Sequence, residues 1–136
     1  MDLDKALAFI KEHPKAVLVT QRKDGRPQTS PILAAVDEEG RLMISSRETA
    51  YKVRNLRRDP RASLCFVSDA FYGDWIQIDG SAEIISLPDA MDLLIDYYRR
   101  LSGEHEDWDD YRSAMERDKR VIVSVIVERA GPDHSG

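Results

Sequence analysis

The sequence predicts an α+β protein in which about six mostly antiparallel strands curl into a small closed or partly open barrel, with helices inserted between them. Three observations carry this. Short β-branched runs in the first half are separated by turn-forming pairs such as Asp24-Gly25 and Glu39-Gly40. Apolar stripes at helical spacing interrupt the strands of the second half. The run Val121 to Val127 has no polar face, so both of its sides must be covered. An α+β sandwich fits the same pattern, and the apolar last strand also fits a homodimer in which a twin covers part of the barrel.

Taken in order, Leu3, Leu7 and Ile10 mark a short amphipathic helix that His13-Pro14 ends. Ala16 to Arg22 is a strand, Lys23-Asp24-Gly25-Arg26 a hairpin turn, and Pro27 to Val36 the return strand. Arg41 to Ser46 is a third strand. Ser46 can cap a helix over about Arg47 to Arg58, with Ala50, Val53 and Leu56 inward, which Asp59-Pro60 stops. Ala62 to Ser68 reads as a buried strand and Trp75 to Ile85 as a long one with a bulge at Gly80. Pro88 and Asp89 open a helix whose inward stripe is Met91, Leu94, Ile95, Tyr98 and Leu101, and Gly103 closes it. A last helix covers about Asp107 to Asp118 before the terminal strand, and residues from about 129 to 136 read as a flexible tail.

With 136 residues, 42% of them hydrophobic and 33% charged, the chain has the profile of one globular domain. No apolar run approaches the roughly 20 residues of a spanning helix, and the acidic start lacks the apolar stretch of a secretory signal. The single cysteine, Cys65, allows no internal disulfide, which points to a reduced, cytoplasmic setting. A net charge of -5 argues against bulk nucleic-acid binding. That average hides an asymmetry. Arg47 to Arg61 holds six positive residues and two acids, whereas Glu104 to Asp110 holds five acids and no Lys or Arg. Positive charge concentrated in one stretch of an acidic protein suits a small anionic ligand, or equally a solvated helix face.

Catalytic side-chain sets are sparse. His13, His105 and His134 show no metal-ligand spacing, Cys65 sits in the apolar run Leu64-Cys65-Phe66-Val67 of an inert core strand, and no glycine-rich nucleotide loop is present. If the chain is an enzyme, a cofactor carries the hard chemistry. The informative stretch is Met43 to Arg61. A strand delivers Ser45 and Ser46 to a helix mouth, Lys52 lies one turn in, and Asn55 follows at i+3 on the same side. Hydroxyls, free helix N–H groups and a lysine together form a phosphate cradle, although a strand end and a capped basic helix would look alike.

Lys52 to Arg61 (KVRNLRRDPR), following RLMISS and the earlier Asp24-Gly25-Arg26-Pro27-Gln28, resembles the split β-barrel flavin- and deazaflavin-binding superfamily typified by pyridoxamine 5'-phosphate oxidase. Tyr97 to Arg112, with SGEHEDWDDYR at Ser102 to Arg112, is similar to its small members that use coenzyme F420, and the likeness runs from about Leu7 to Glu128. The resemblance implies an antiparallel six-stranded split β-barrel, a homodimer with a cofactor cleft at the interface, and coenzyme F420, with FMN as the alternative. It implies that the ring lies near Gln28, Thr29, Ser30 and Pro31 and near Ile44, Ser45 and Ser46, and that the phosphate meets Lys52 and Asn55. Trp75 would cover a ring face from the second protomer, or else pack the dimer interface. The oligoglutamate tail of the deazaflavin would use Arg26, Arg54, Arg57 or Arg58. Several relatives carry a second basic residue two positions before the lysine. Here that position is Ala50, so phosphate binding leans on Lys52 and neighbours, Arg47 among them.

The leading functional expectation is therefore an F420-dependent oxidoreductase that passes a hydride to an electron-poor small molecule such as an enone or quinone. Two others stand beside it: an FMN oxidase of the pyridoxamine phosphate type, and a non-catalytic protein that binds or stores the cofactor. No metal, nucleic acid or membrane is implied as a partner, and no catalytic side chain is named.

Overall fold

A computed structural model describes residues 1–135. The chain runs α1 (Leu3–Glu12), β1 (Lys15–Gln21), β2 (Pro27–Leu33), β3 (Ala35–Val36), β4 (Leu42–Arg47), α2 (Tyr51–Arg58), β5 (Arg61–Val67), β6 (Asp74–Ile85), α3 (Met91–Ser102), α4 (Trp108–Arg117) and β7 (Arg120–Ser135). One antiparallel sheet holds all seven strands in the order β2-β1-β5-β6-β7-β4-β3. Its two edge strands are consecutive in the chain, with only Ala34 between them. A sheet whose opposite edges are one residue apart has to curl until they meet, and the result is the expected barrel, left split along a seam between β2 and β4.

Strand alternation builds the interior. Ala16, Leu18 and Thr20 of β1, Ala62, Leu64 and Phe66 of β5, and Ile76 and Ile78 of β6 point inward and are buried. The open end is stoppered by α1, whose Asp2 side chain accepts the Lys5 N–H and whose Ala6 and Ile10 are fully buried. Burying a side chain such as Ile10 stabilises the fold by about 1.5 to 3 kcal/mol. A second apolar cluster lies outside the sheet, where Leu94, Ile95 and Tyr111 of α3 and α4 pack on Met43 and Ile122. Among the described residues no helix is long and apolar enough to cross a membrane.

Four details depart from the sequence reading. The return strand Pro27 to Val36 breaks at Ala34, whose N–H leaves the ladder to reach the Pro14 carbonyl at 2.9 Å, and this adds a seventh strand. Ser46 does not cap a helix: β4 continues through Arg47, opposite Arg120, and α2 begins only at Tyr51, after an Ala50 cap with no side-chain bond. Cys65 lies on the outer, half-buried face of β5 rather than in the core, because its neighbours Leu64 and Phe66 take the inward positions. Finally, β7 continues to Ser135 because β6 supplies backbone partners back to Asp74. The segment from 129 to 135 is thus paired strand and not a loose tail; Gly136 lies outside the described residues.

The two-sided burial of Val121 to Val125 needs no twin. Val121, Val123 and Val125 enter the barrel core, while Ile122 meets the α3 and α4 cluster. Apolar surface stays open on β1 and β2, where Val17 is 41% and Leu33 43% exposed, and also at Ile126 of β7 and at Phe71 and Tyr72 between β5 and β6.

Candidate functional site

The seam is where backbone pairing fails, and a cavity of about 460 Å³ opens there between Pro31, Ile32 and Leu33 of β2 and Ser45 of β4, with Lys52 and Tyr97 in its wall. Tyr97 fastens the two sides. Its hydroxyl donates to the Leu33 carbonyl at 2.9 Å, and the Ser45 backbone acts on the phenol oxygen. Burial pushes the phenol up from its ordinary value of 10.0, with Ser45 and Arg120 opposing, so the group stays neutral and able to donate at neutral pH. Tyr97→Phe is expected to cost about 0.5 to 1.5 kcal/mol in urea unfolding, the usual worth of one such bond. An unchanged midpoint would show that packing alone holds the seam.

Lys52 also lines an adjoining cavity of about 470 Å³ at the mouth of α2, beside Ser45, Ser46, Arg47, Thr49 and Arg120. The late start of α2 forms this space: the turn from Arg47 to Ala50 leaves the first helical N–H groups without a side-chain cap. The Lys52 ammonium is held below its usual 10.5, first by burial and then by repulsion from Arg120. No carboxylate lines either cavity.

Asn55 turns the other way. Its Nδ2 donates to Thr20 Oγ1 at 3.0 Å and its Oδ1 accepts from Arg58 at 3.0 Å, so it braces α2 against β1 and borders a third cavity of about 580 Å³. Arg22, Lys23, Arg54 and Arg58 line that cavity with Gln28, and no acid faces them. Of the arginines weighed for an anionic tail, Arg54 and Arg58 are therefore placed to serve. Arg57 is engaged by Glu48 and Ser86, and Arg26 pairs with Asp24 on the hairpin.

The structure thus gathers Pro31, Ser45, Ser46 and Lys52 around two joined cavities. Gln28 and Asn55 stand at the third. Thr29 is exposed on the outer face of β2 and Ser30 faces inward opposite Leu18. Ile44 is a fully buried core residue, so its side chain offers a ligand nothing. Trp75, the second residue of β6, stands opposite Val67 and lines none of the three cavities. Tyr97 and Arg120 went unread in the sequence, because what places them is closure of the sheet and no local spacing signals it. Among the described residues no cluster of His, Cys, Asp or Glu could hold a metal ion.

An antiparallel sheet curled into a barrel but split along one seam, with a cavity at the split, defines a split-barrel protein. Residues 3–131 match the family model for pyridoxamine 5'-phosphate oxidase, and the chain belongs to that family. It is 28% identical over 128 residues to the F420H(2)-dependent biliverdin reductase of Mycobacterium tuberculosis, a match covering 93% of this chain and 84% of that protein. Among solved structures, the conserved hypothetical protein Rv2991 of Mycobacterium tuberculosis superposes with a TM-score of 0.78 at 26% identity, over 96% of this chain and 82% of its own. A structure described as an F420 reductase gives a TM-score of 0.69 at 23% identity, covering 90% of this chain and 93% of that one.

Proposed function

We propose that this protein is an oxidoreductase that binds coenzyme F420 at the seam and reduces an electron-poor small molecule. The observation that carries the reading is that Lys52, with Ser45, lines both an apolar-walled cavity suited to a flat ring and a hydroxyl- and cation-lined one suited to a phosphate. The donor set fits an anionic flavin-like group, since Pro31, Ile32 and Leu33 offer ring contact, Ser45, Ser46 and Lys52 offer donors, and no carboxylate repels it. The relative named as an F420H(2)-dependent reductase supports the deazaflavin.

When bound, the reduced deazaflavin supplies a hydride, which asks of the protein only that it align donor and acceptor. This chain's residues do the rest. Lys52 and the Ser45 and Ser46 hydroxyls hold the phosphate, and Pro31 flanks the ring at the seam. Arg54 and Arg58, with Arg22 and Lys23 beside them, take the acidic tail. Asn55 acts by fixing α2, through Thr20 and Arg58. The open apolar face of β1 and β2 seats a second copy, and that same outer face carries Trp75, so Trp75 of the partner subunit approaches the cleft.

Titration with coenzyme F420 and FMN tests this. The expected results are micromolar or tighter binding of the deazaflavin, weaker binding of FMN, oxidation of the reduced form by a quinone, enone or tetrapyrrole, and a light-scattering mass twice that of the chain. Binding of neither cofactor at micromolar concentration sinks the proposal. A yellow protein releasing FMN favours the second reading, an FMN enzyme, which the family model supports. Tight binding without turnover would leave a storage protein.

A further inference from the structure

We infer that Arg120, entering from the start of β7, is the second cation of the phosphate site, acting with Lys52 on the same phosphate group while Arg47 stands at its rim. This rests on the proposed cofactor reading, and it starts from a conflict in the structure. Arg47 and Arg120 are directly opposed in the antiparallel pairing of β4 with β7. Like charges across such a pair repel and destabilise the sheet unless something of opposite sign lies between them. Among the described residues no carboxylate lines the cavity they share, and the one acid paired with either, Asp118, reaches Arg120 only at 3.9 Å. The cavity they border with Lys52 is lined by the hydroxyl residues Ser45, Ser46, Thr49 and Tyr51, and by no carboxylate. Among the described residues neither Arg47 nor Lys52 has an ion-pair partner.

Arg120 itself carries an unmet bond. Its Nε is buried and has no hydrogen-bond partner, and the nearest carboxylate oxygen, Asp118 Oδ2, stands off at 3.9 Å, beyond bonding distance. A buried donor left unmade is costly, and native structures rarely keep one without a purpose. Repulsion from Arg120 is also one of the two effects that weaken the Lys52 charge, which places the two cations within electrostatic reach of each other. The cofactor's phosphate ester would relieve this repulsion: it brings negative charge to a cavity lined by Arg47, Lys52 and Arg120, and acceptor oxygens to their N–H donors and to the neighbouring hydroxyls.

The test compares ligands that share a chromophore: coenzyme F420 against its deazaflavin core, which lacks the phosphate and the acidic tail, and Arg120 is not in the lining of the cavity assigned to that tail. Arg120→Gln is expected to raise the dissociation constant for F420 about ten- to hundredfold, as loss of a charge-assisted contact does, and to leave the phosphate-free core within about twofold. Without cofactor, the variant should melt no lower than wild type, since the orphaned donor and one of two opposed charges are gone. Arg120→Lys keeps the charge without the fork and should fall between the two, which preserves the test if the glutamine variant folds poorly. F420 binding unchanged in Arg120→Gln while Lys52→Ala weakens it overturns the inference, and so does an equal loss for both ligands. Should wild type bind neither chromophore, the functional reading falls by itself. Inorganic phosphate then decides: a melting temperature raised by phosphate over matched chloride in wild type but not in Arg120→Gln sustains the site, and no rise in wild type ends it.

Discussion

Lys52→Ala should weaken cofactor binding by about 1.5 to 3 kcal/mol, a ten- to hundredfold rise in the dissociation constant. The size follows from position. Lys52 lines both the seam cavity and the cavity at the mouth of α2, so its removal takes the charge from the joint between ring and phosphate. The pH dependence gives an independent signature. Burial, and then Arg120, hold the ammonium below its ordinary 10.5, and only the charged form attracts an anion. Affinity should therefore be level at neutral pH and fall as pH rises through the lowered Lys52 value, before 10.5 is reached; Lys52→Ala should lack that alkaline fall. Stability moves the other way. Because the folded-state value is depressed, the charged lysine is a cost to the fold, fully present below that value and relieved as pH rises toward the unfolded value. The unliganded alanine variant should thus melt no lower than wild type at neutral pH. A dissociation constant unchanged by the substitution, or an alkaline fall that survives it, would remove Lys52 from the site.

What could be read in the sequence is what is encoded within a few residues. Positive φ at Gly25 makes the Asp24-Gly25 turn, and the bulge at Gly80 announces itself as a glycine inside a strand. Lys52 and the two serines belong to one strand-turn-helix stretch, which is why their grouping survives in three dimensions. Features decided by partners far along the chain were not legible. Ala34 looks like any other residue of a β run until Pro14 takes its N–H. Asn55 has the spacing of a ligand beside Lys52, but Thr20, thirty-five positions away, claims its amide. Tyr97 joins Leu33 to the neighbourhood of Ser45 only because β2 and β4 come together at the seam. Arg47 and Arg120 face each other because β7 inserts between β6 and β4, a topology no local pattern specifies. In each case the sequence shows the chemistry a residue offers, and the fold decides which neighbour uses it.

Gly80→Ala is the single methyl expected to damage the fold most. Gly80 is buried at the register shift between β6 and β7, where a Cβ would stand 2.3 Å from the Ile126 carbonyl oxygen and 2.9 Å from Val125 Cγ1. The first of these is backbone, so no side-chain rotation relieves it, and the strands must part where β7 joins β6 to β4. Overpacking of this kind costs about 3 kcal/mol, a fall in melting temperature of roughly 10 °C for a domain of this size. Gly25→Ala separates crowding from backbone strain. There φ is +88° and nothing lies within 4 Å of an added Cβ, so the penalty is only that of a left-handed alanine, about 1 to 2 kcal/mol. The Gly80 loss should also reach the site, because Val125 pairs with Leu42 in the same ladder that sets Arg47 against Arg120. Cofactor affinity should then drop in Gly80→Ala and hold in Gly25→Ala at a temperature where both remain folded. Equal melting temperatures for the two variants would mean that β7 yields to the methyl without loss, and that the bulge is not what fixes its register.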